Sequence, residues 1–245
     1  MPPDMSANPI RSAISRYLIS KAIRRSVKLV HACYAKDGLE ATIDLLFTKE
    51  CELVMPWQFK EELLALATRI EAQRPKVVME IGTATGGTLL LSCLLAADDA
   101  TLISVDLPEG DFGGGYPAWK LPLYSSFAKP GQRIHLIRGD SHSRDVHQQI
   151  TGVLADRRID YLFIDGDHTY EGVKQDFETY SALVDAHGLI AFHDIAPDRA
   201  PMPNHFVSVF WNEVKQRYTH REFIKHGAEQ SKWGLGLLSV DGSAI

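Results

Sequence analysis

The stretch Val77-Val78-Met79-Glu80-Ile81-Gly82-Thr83-Ala84-Thr85-Gly86-Gly87-Thr88 constrains this chain most, because an apolar run breaks into a glycine-rich turn and enters Leu89-Leu90-Leu91 without a pause. The pattern predicts strand, ligand-cradling loop, helix. Glycines let backbone N–H groups come close to a ligand, and the helix that follows points its partly positive end at whatever sits there.

From residue 75 onward the signals repeat. Short runs rich in Val, Ile and Leu predict strands at 77–81, 102–106, 134–138, 159–165 and 189–193, with helices at 88–97, 143–155 and 170–184. Such alternation describes a mostly parallel sheet covered on both faces, a doubly wound Rossmann-like α/β fold. A helix at 206–218 and two late strands, at 222–225 and 235–240, follow, and the late pair is expected to form an antiparallel edge. Ahead of the sheet, residues 1–10 carry Pro2, Pro3 and Pro9 and read as a loose leader. Helices are expected at 11–31, 38–47 and 58–71. The first is basic and amphipathic, with Ile14, Leu18, Ala22, Ile23, Val27 and Val30 at three- and four-residue spacing and Arg16, Lys21, Arg24, Arg25 and Lys28 between them. It suits packing on the core or on a second subunit better than a membrane surface. The chain thus divides into an N-terminal helical cap, 1–74, and a ligand-binding domain, 75–245.

The segment 108–131 interrupts the alternation. It holds Gly113-Gly114-Gly115 with Tyr116, Trp119, Tyr124 and Phe127, and reads as a lid or substrate loop with a short helix at 125–127. With 26 basic and 31 acidic residues and a formal charge of −5, the 245-residue chain carries no cationic field suited to a nucleic-acid backbone, and small-molecule chemistry is expected instead. Three cysteines without metal-type spacing argue against a disulfide framework and for a reducing cytoplasm. No apolar run is long enough for a membrane span.

Polar residues cluster at five successive strand ends, the edge where open parallel sheets bind ligands. Glu80, just before the first glycine, would repel a pyrophosphate and welcome an ammonium or hydroxyl, which tilts the ligand toward S-adenosylmethionine and away from NAD. Gly82, Thr83, Thr85 and Gly86 form its cradle. Asp106, 24 residues after Gly82, can accept both hydroxyls of a ribose. Asp140 and Ser141 would border the adenine. Asp165 with His193 and Asp194 makes an O, N, O set at neighbouring strand ends, suited to Mg²⁺ or Mn²⁺, with iron and zinc left open by the imidazole. His168, three residues after Asp165, can reach the same acceptor oxygen as a general base. A hydrogen-bonded strand-end role is the alternative for both histidines.

Three of these stretches, Glu80 to Gly87, Ile164-Asp165-Gly166-Asp167-His168 and Ala191-Phe192-His193-Asp194, resemble the class I S-adenosylmethionine-dependent methyltransferases. The likeness runs over 55–240 and extends to the bacterial group that includes rhamnosyl O-methyltransferases and proteins named cephalosporin hydroxylase. It implies a seven-stranded sheet with an antiparallel last strand, and a cofactor held by Glu80 and Gly82 at its methionine part, Asp106 at its ribose and Ser141 at its adenine. Asp165 also belongs to that cofactor-binding edge. The chain is similar as well to the metal-dependent catechol and caffeoyl-coenzyme A O-methyltransferases. Their metal ligands fall on Asp165, His193 and Asp194, and their lysine near the acceptor falls on His168.

The expected activity is metal-assisted O-methylation of a sugar, phenol or natural-product hydroxyl by a cytoplasmic enzyme, with a homo-oligomer open. The competing readings are a cofactor-binding protein without transfer activity and an NAD-dependent oxidoreductase; the glycine spacing departs from the Gly-x-Gly-x-x-Gly fingerprint of the latter.

Overall fold

The computed structural model describes residues 9–110, 115–196, 206–227, 230 and 232–243. The expected leader, up to residue 8, and Gly113 and Gly114 of the expected loop lie outside them.

Seven strands form one sheet: β1 (Val77–Ile81), β2 (Thr101–Asp106), β3 (Arg133–Arg138), β4 (Ile159–Ile164), β5 (Val184–Phe192), β6 (Thr219–Phe223) and β7 (Leu235–Ser239). Their order is β3-β2-β1-β4-β5-β7-β6. The first five pair in parallel, whereas β7 lies antiparallel to both β5 and β6, as the late pair predicts. Chain order reverses beside β1, so the ends of β1 and β4 frame the switch point at which such sheets receive ligands.

Central strands buried on both faces are apolar throughout, and their alternation sorts side chains into two cores. Val78, Leu102, Tyr161, Phe163 and Ala191 face α1 (Pro9–Leu46), α2 (Lys60–Gln73) and α3 (Gly87–Leu95). Met79, Ile81, Ile103, Leu162, Ile190 and Phe192 face the other way, against α5 (Arg144–Leu154), α6 (Tyr170–Ser181) and α7 (Val207–Val214). Helix α4 (Leu121–Tyr124) is a single turn within the 108–131 segment.

The two helices expected ahead of α2 are both present, since α1 is broken at Gly38, where φ is 82°, and the first of them runs on past its expected end at 31. Residues 32–37 contain no Gly or Pro to stop it. Ile23, Val27, Val30, Leu39, Ile43 and Leu46 are buried, but Ile14 and Leu18 are 55% and 57% exposed because the first turns of α1 run past the body of the protein. A 3-10 turn, Lys49–Val54, then carries the chain to α2. Strand β5 starts at Val184, five residues before the expected 189, because a bulge opposite Ile159 and Tyr161 lets Val184 pair as well.

The 108–131 segment is expected as a lid or substrate loop, yet three of its aromatic residues turn inward. Tyr116, Tyr124 and Phe127 are buried and pack on one another, with ring centroids 4.7 and 5.0 Å apart. Their apolar surface closes the core under the glycine loop. The short helix expected at 125–127 is present as a 3-10 turn.

Candidate active site

Each glycine of the turn after β1 answers a close contact. A Cβ on Gly82 would lie 1.9 Å from the Asp165 carbonyl oxygen, and φ there is 85°, so only glycine lets the ends of β1 and β4 meet. A Cβ on Gly86 would meet Phe127 and Tyr124 at 2.9 and 3.0 Å, and one on Gly87 would meet the Val54 carbonyl at 2.4 Å. Gly86 is also the N-cap of α3 and supplies no side chain to its first N–H groups, which leaves that turn open to an anionic or hydroxyl-bearing partner.

Other polar groups hold the loop's shape. The Thr83 hydroxyl pairs with that of Ser104 at 2.7 Å, and the Thr85 hydroxyl donates to the Met55 carbonyl at 3.0 Å. Asp106 accepts from the Ala84 N–H at 2.9 Å, and Ala84 takes φ 43°, unusual for a residue with a side chain. Burial raises the Asp106 pKa, against the N–H groups of Ala84, Thr83 and Tyr116. Tyr124, a residue the sequence reading assigned to substrate, donates its hydroxyl to the Ala84 carbonyl at 2.8 Å and takes a bond from Lys120 at 3.3 Å. Nothing in the spacing of the aromatic residues shows that direction.

Glu80 shares its strand face with Val78 and so points toward α1–α3. It is 1% exposed, and neither carboxylate oxygen has a hydrogen bond of standard geometry. Burial pushes its pKa up to about 8, with the nearby Thr88 and Thr83 hydroxyls pulling the other way. A buried acid without a partner is costly, and a cation or donor arriving at the glycine loop would relieve it.

After β3, Asp140 accepts from the His142 N–H at 2.9 Å, and the Ser141 carbonyl accepts from the Tyr180 hydroxyl at 2.6 Å. Beyond β4 and β5 the expected acids and histidines come together. Ligand atoms of Asp165, His168 and Asp194 lie within 4.8 Å of one another. His168 spans the carboxylates, Nε2 3.5 Å from Asp165 and Nδ1 3.1 Å from Asp194. His193 Nδ1 is 3.0 Å from Asp165 and 3.3 Å from Asp194, while its Nε2 is buried without a partner. The expected ligand His193 and the expected base His168 therefore share one cluster, and each lies against both aspartates.

Burial opposes charge on all three of Asp165, His168 and His193, yet the pairing wins. His193 and His168 hold Asp165 below the usual carboxylate range, and the two aspartates raise His168 and lift His193 well above the usual imidazole value. Asp194 sits at φ 59°, a left-handed conformation that aspartate accepts more readily than most residues, and this turns its carboxylate toward His168. The donor set is mixed oxygen and nitrogen, which fits Mn²⁺, Fe²⁺ or Zn²⁺ better than all-oxygen Mg²⁺.

Residues 79–195 match a family model described as a methyltransferase domain. The chain is 26% identical over 171 residues to the uncharacterized protein y4gI of Sinorhizobium fredii, a match that takes in 67% of this chain and 18% of that protein. Its fold is similar to an O-methyltransferase from Bacillus cereus in complex with SAH, at TM-score 0.55, 12% identity and coverage of 89% and 90% of the two chains. It is similar as well to a putative O-methyltransferase from Klebsiella pneumoniae, at TM-score 0.54, 17% identity and coverage of 81% and 89%. Sheet order, antiparallel β7 and the matched segment make this the class I methyltransferase fold.

Proposed function

We propose that this methyltransferase domain binds S-adenosylmethionine across the ends of β1 and β2 and methylates a hydroxyl of a small molecule held over the ends of β4 and β5. The observation that carries the reading is Glu80, a buried acid with no hydrogen bond of standard geometry, beside an open helix N-terminus and a glycine loop. That combination suits a ligand bearing both an ammonium and a carboxylate. Asp106 would hold the ribose, and Asp140 and Ser141 would border the adenine.

Bound S-adenosylmethionine supplies an activated methyl on a sulfonium, so the protein's work is alignment, exclusion of water and management of one proton. His168 carries that last task. Its ring lies against both Asp165 and Asp194, which stabilise the charge it gains on taking the acceptor's proton. Asp165, His168 and Asp194 could instead hold a divalent ion, in which case the ion's Lewis acidity toward an acceptor oxygen would replace His168 as the means of removing the proton. His193 keeps Asp165 oriented in either case. The similarity in fold to O-methyltransferases supports oxygen as the methylated atom.

The test is a calorimetric titration with S-adenosylhomocysteine, with Mn²⁺ or Mg²⁺ present and after chelation, followed by an acceptor screen. Binding is expected in both conditions, and His168→Ala is expected to lower turnover at least 100-fold, on the order of general acid–base effects, with cofactor affinity within about threefold. Absence of binding, beside a positive NAD control, would overturn the proposal, and equal losses of turnover and affinity would make His168 structural.

A further inference from the structure

We propose that His142 and Asp176 are positioning residues that hold the turn after β3 in the shape that receives the nucleoside end of the cofactor, an inference resting on the methyltransferase reading above. Asp176 lies on α6, its side chain wholly removed from solvent, and neither of its oxygens has a hydrogen bond of standard geometry. The cation within reach is the imidazole of His142, whose Nε2 stands 3.2 Å from Asp176 and 3.2 Å from the Gly172 carbonyl, also on α6. One turn further along the helix, the Tyr180 hydroxyl holds the Ser141 carbonyl. Helix α6 therefore grips two consecutive residues of the turn, at the place where Asp140 and Ser141 would meet the adenine.

The grip depends on charge. Facing the imidazole are Asp140 from its own turn, at 3.7 Å, Asp176 from α6, and Asp167 from the turn that leads into α6. His147 of α5 packs its ring on Tyr180. Contact with Asp176 raises the His142 pKa to about 8, although burial works against it. Protonated, His142 donates to α6 and offsets a carboxylate that has no contact with water. Deprotonated, it keeps a single N–H and no charge to set against Asp176, and the hold of the turn on the helix weakens to that bond and the one between Tyr180 and Ser141.

The experiment compares S-adenosylhomocysteine affinity for the wild-type protein, His142→Gln, Asp176→Asn and the double variant at pH 6.5 and pH 9.5, with thermal unfolding recorded for each. At pH 6.5 each single variant is expected to bind about tenfold more weakly, and the double variant no more weakly than either, as coupled residues behave. At pH 9.5, where wild-type His142 has lost its proton, the gap between wild type and His142→Gln should close to about twofold. Glu80 titrates alike in both proteins, so it cancels in that ratio. Equal affinities at pH 6.5, or a gap of the same size at both pH values, would overturn the inference. His142→Gln sits at the partly exposed side of the pair and carries the test if Asp176→Asn does not fold. Failure of the wild-type protein to bind at pH 6.5 would instead count against the methyltransferase reading.

Discussion

At the scale of single residues, Glu80 sets the ligand-free protein against its own function. The unfolded chain ionises this side chain near the ordinary carboxylate value, whereas the folded protein keeps the proton until about pH 8. The unfolded state therefore binds fewer protons between those values, and the stability of the free protein falls as pH rises through that window. Glu80→Gln removes the effect. Its melting temperature should match wild type near pH 4, rise above it by pH 8 with a gain of about 2 kcal/mol, and be accompanied by at least tenfold weaker S-adenosylhomocysteine binding. Melting curves and calorimetry at the two pH values check this; a variant less stable than wild type at pH 8 would show that the buried carboxylate finds partners in the free protein. Gly82 shows what sequence reasoning can reach at this scale and where it stops. A glycine after a strand and before a helix announces a tight turn, but its nearest obstacle is the Asp165 carbonyl, 83 residues onward, rather than a ligand.

At the scale of elements, the inner strands β1, β2 and β4 were legible because each is an apolar-rich run ended by an acid or a glycine, whereas the edge strand β6 is polar and exposed and starts at Thr219, three residues before the expected 222. The chemistry was legible with them: Glu80, Asp106, Asp140, Asp165, His193 and Asp194 all fall at or next to strand ends. Less was visible where tertiary contacts override local pattern. Apolar spacing locates a helix face but not the last turn that the body of the protein covers, so Ile14 and Leu18 read as packed on the core or on a second subunit and are not covered by the core of their own chain. Aromatic character in 116–127 shows that the segment packs, not which way, and the rings turn inward against Gly86. Asp176 lies within the polar stretch Lys174-Gln175-Asp176-Phe177-Glu178, where nothing sets it apart as the one acid that is buried. Glu62 belongs to the same class. From the first turn of α2 it accepts from the Lys225 N–H at 2.8 Å, the Gln230 amide at 2.7 Å and the Gly234 N–H at 3.2 Å, and so ties the approach to β7 onto the N-terminal helices. Glu62→Ala leaves those donors unpaired and should cost about 2–4 kcal/mol, with faster proteolysis between β6 and β7 than elsewhere. Denaturant melts and mapping of the first cleavage sites measure both; cleavage spread evenly over the chain would deny Glu62 this local role.

At the scale of the whole molecule, the candidate site draws on the ends of the five parallel strands, from β3 at one edge of the sheet to β5, while its glycine loop and its Asp–His cluster have different support. The glycine loop rests on α3 and on the turn at Val54, and the Asp165, His168, His193 and Asp194 cluster rests on the ends of β4 and β5. A ligand bridging them stabilises the folded state by mass action, so S-adenosylhomocysteine at 100 times its dissociation constant should add about 2.7 kcal/mol to the stability of the protein. Thermal melts across a concentration series test this, and a flat series would deny binding to the folded state. The position of β7 has a consequence for how the protein is made. Strand β5 offers its free edge to β7 alone on that side, and β6, though it precedes β7 in the chain, joins the sheet only through it. While the chain emerges from the ribosome, the β5 edge therefore waits unpaired through the synthesis of more than forty residues, a long interval in which a nascent strand can find the wrong neighbour.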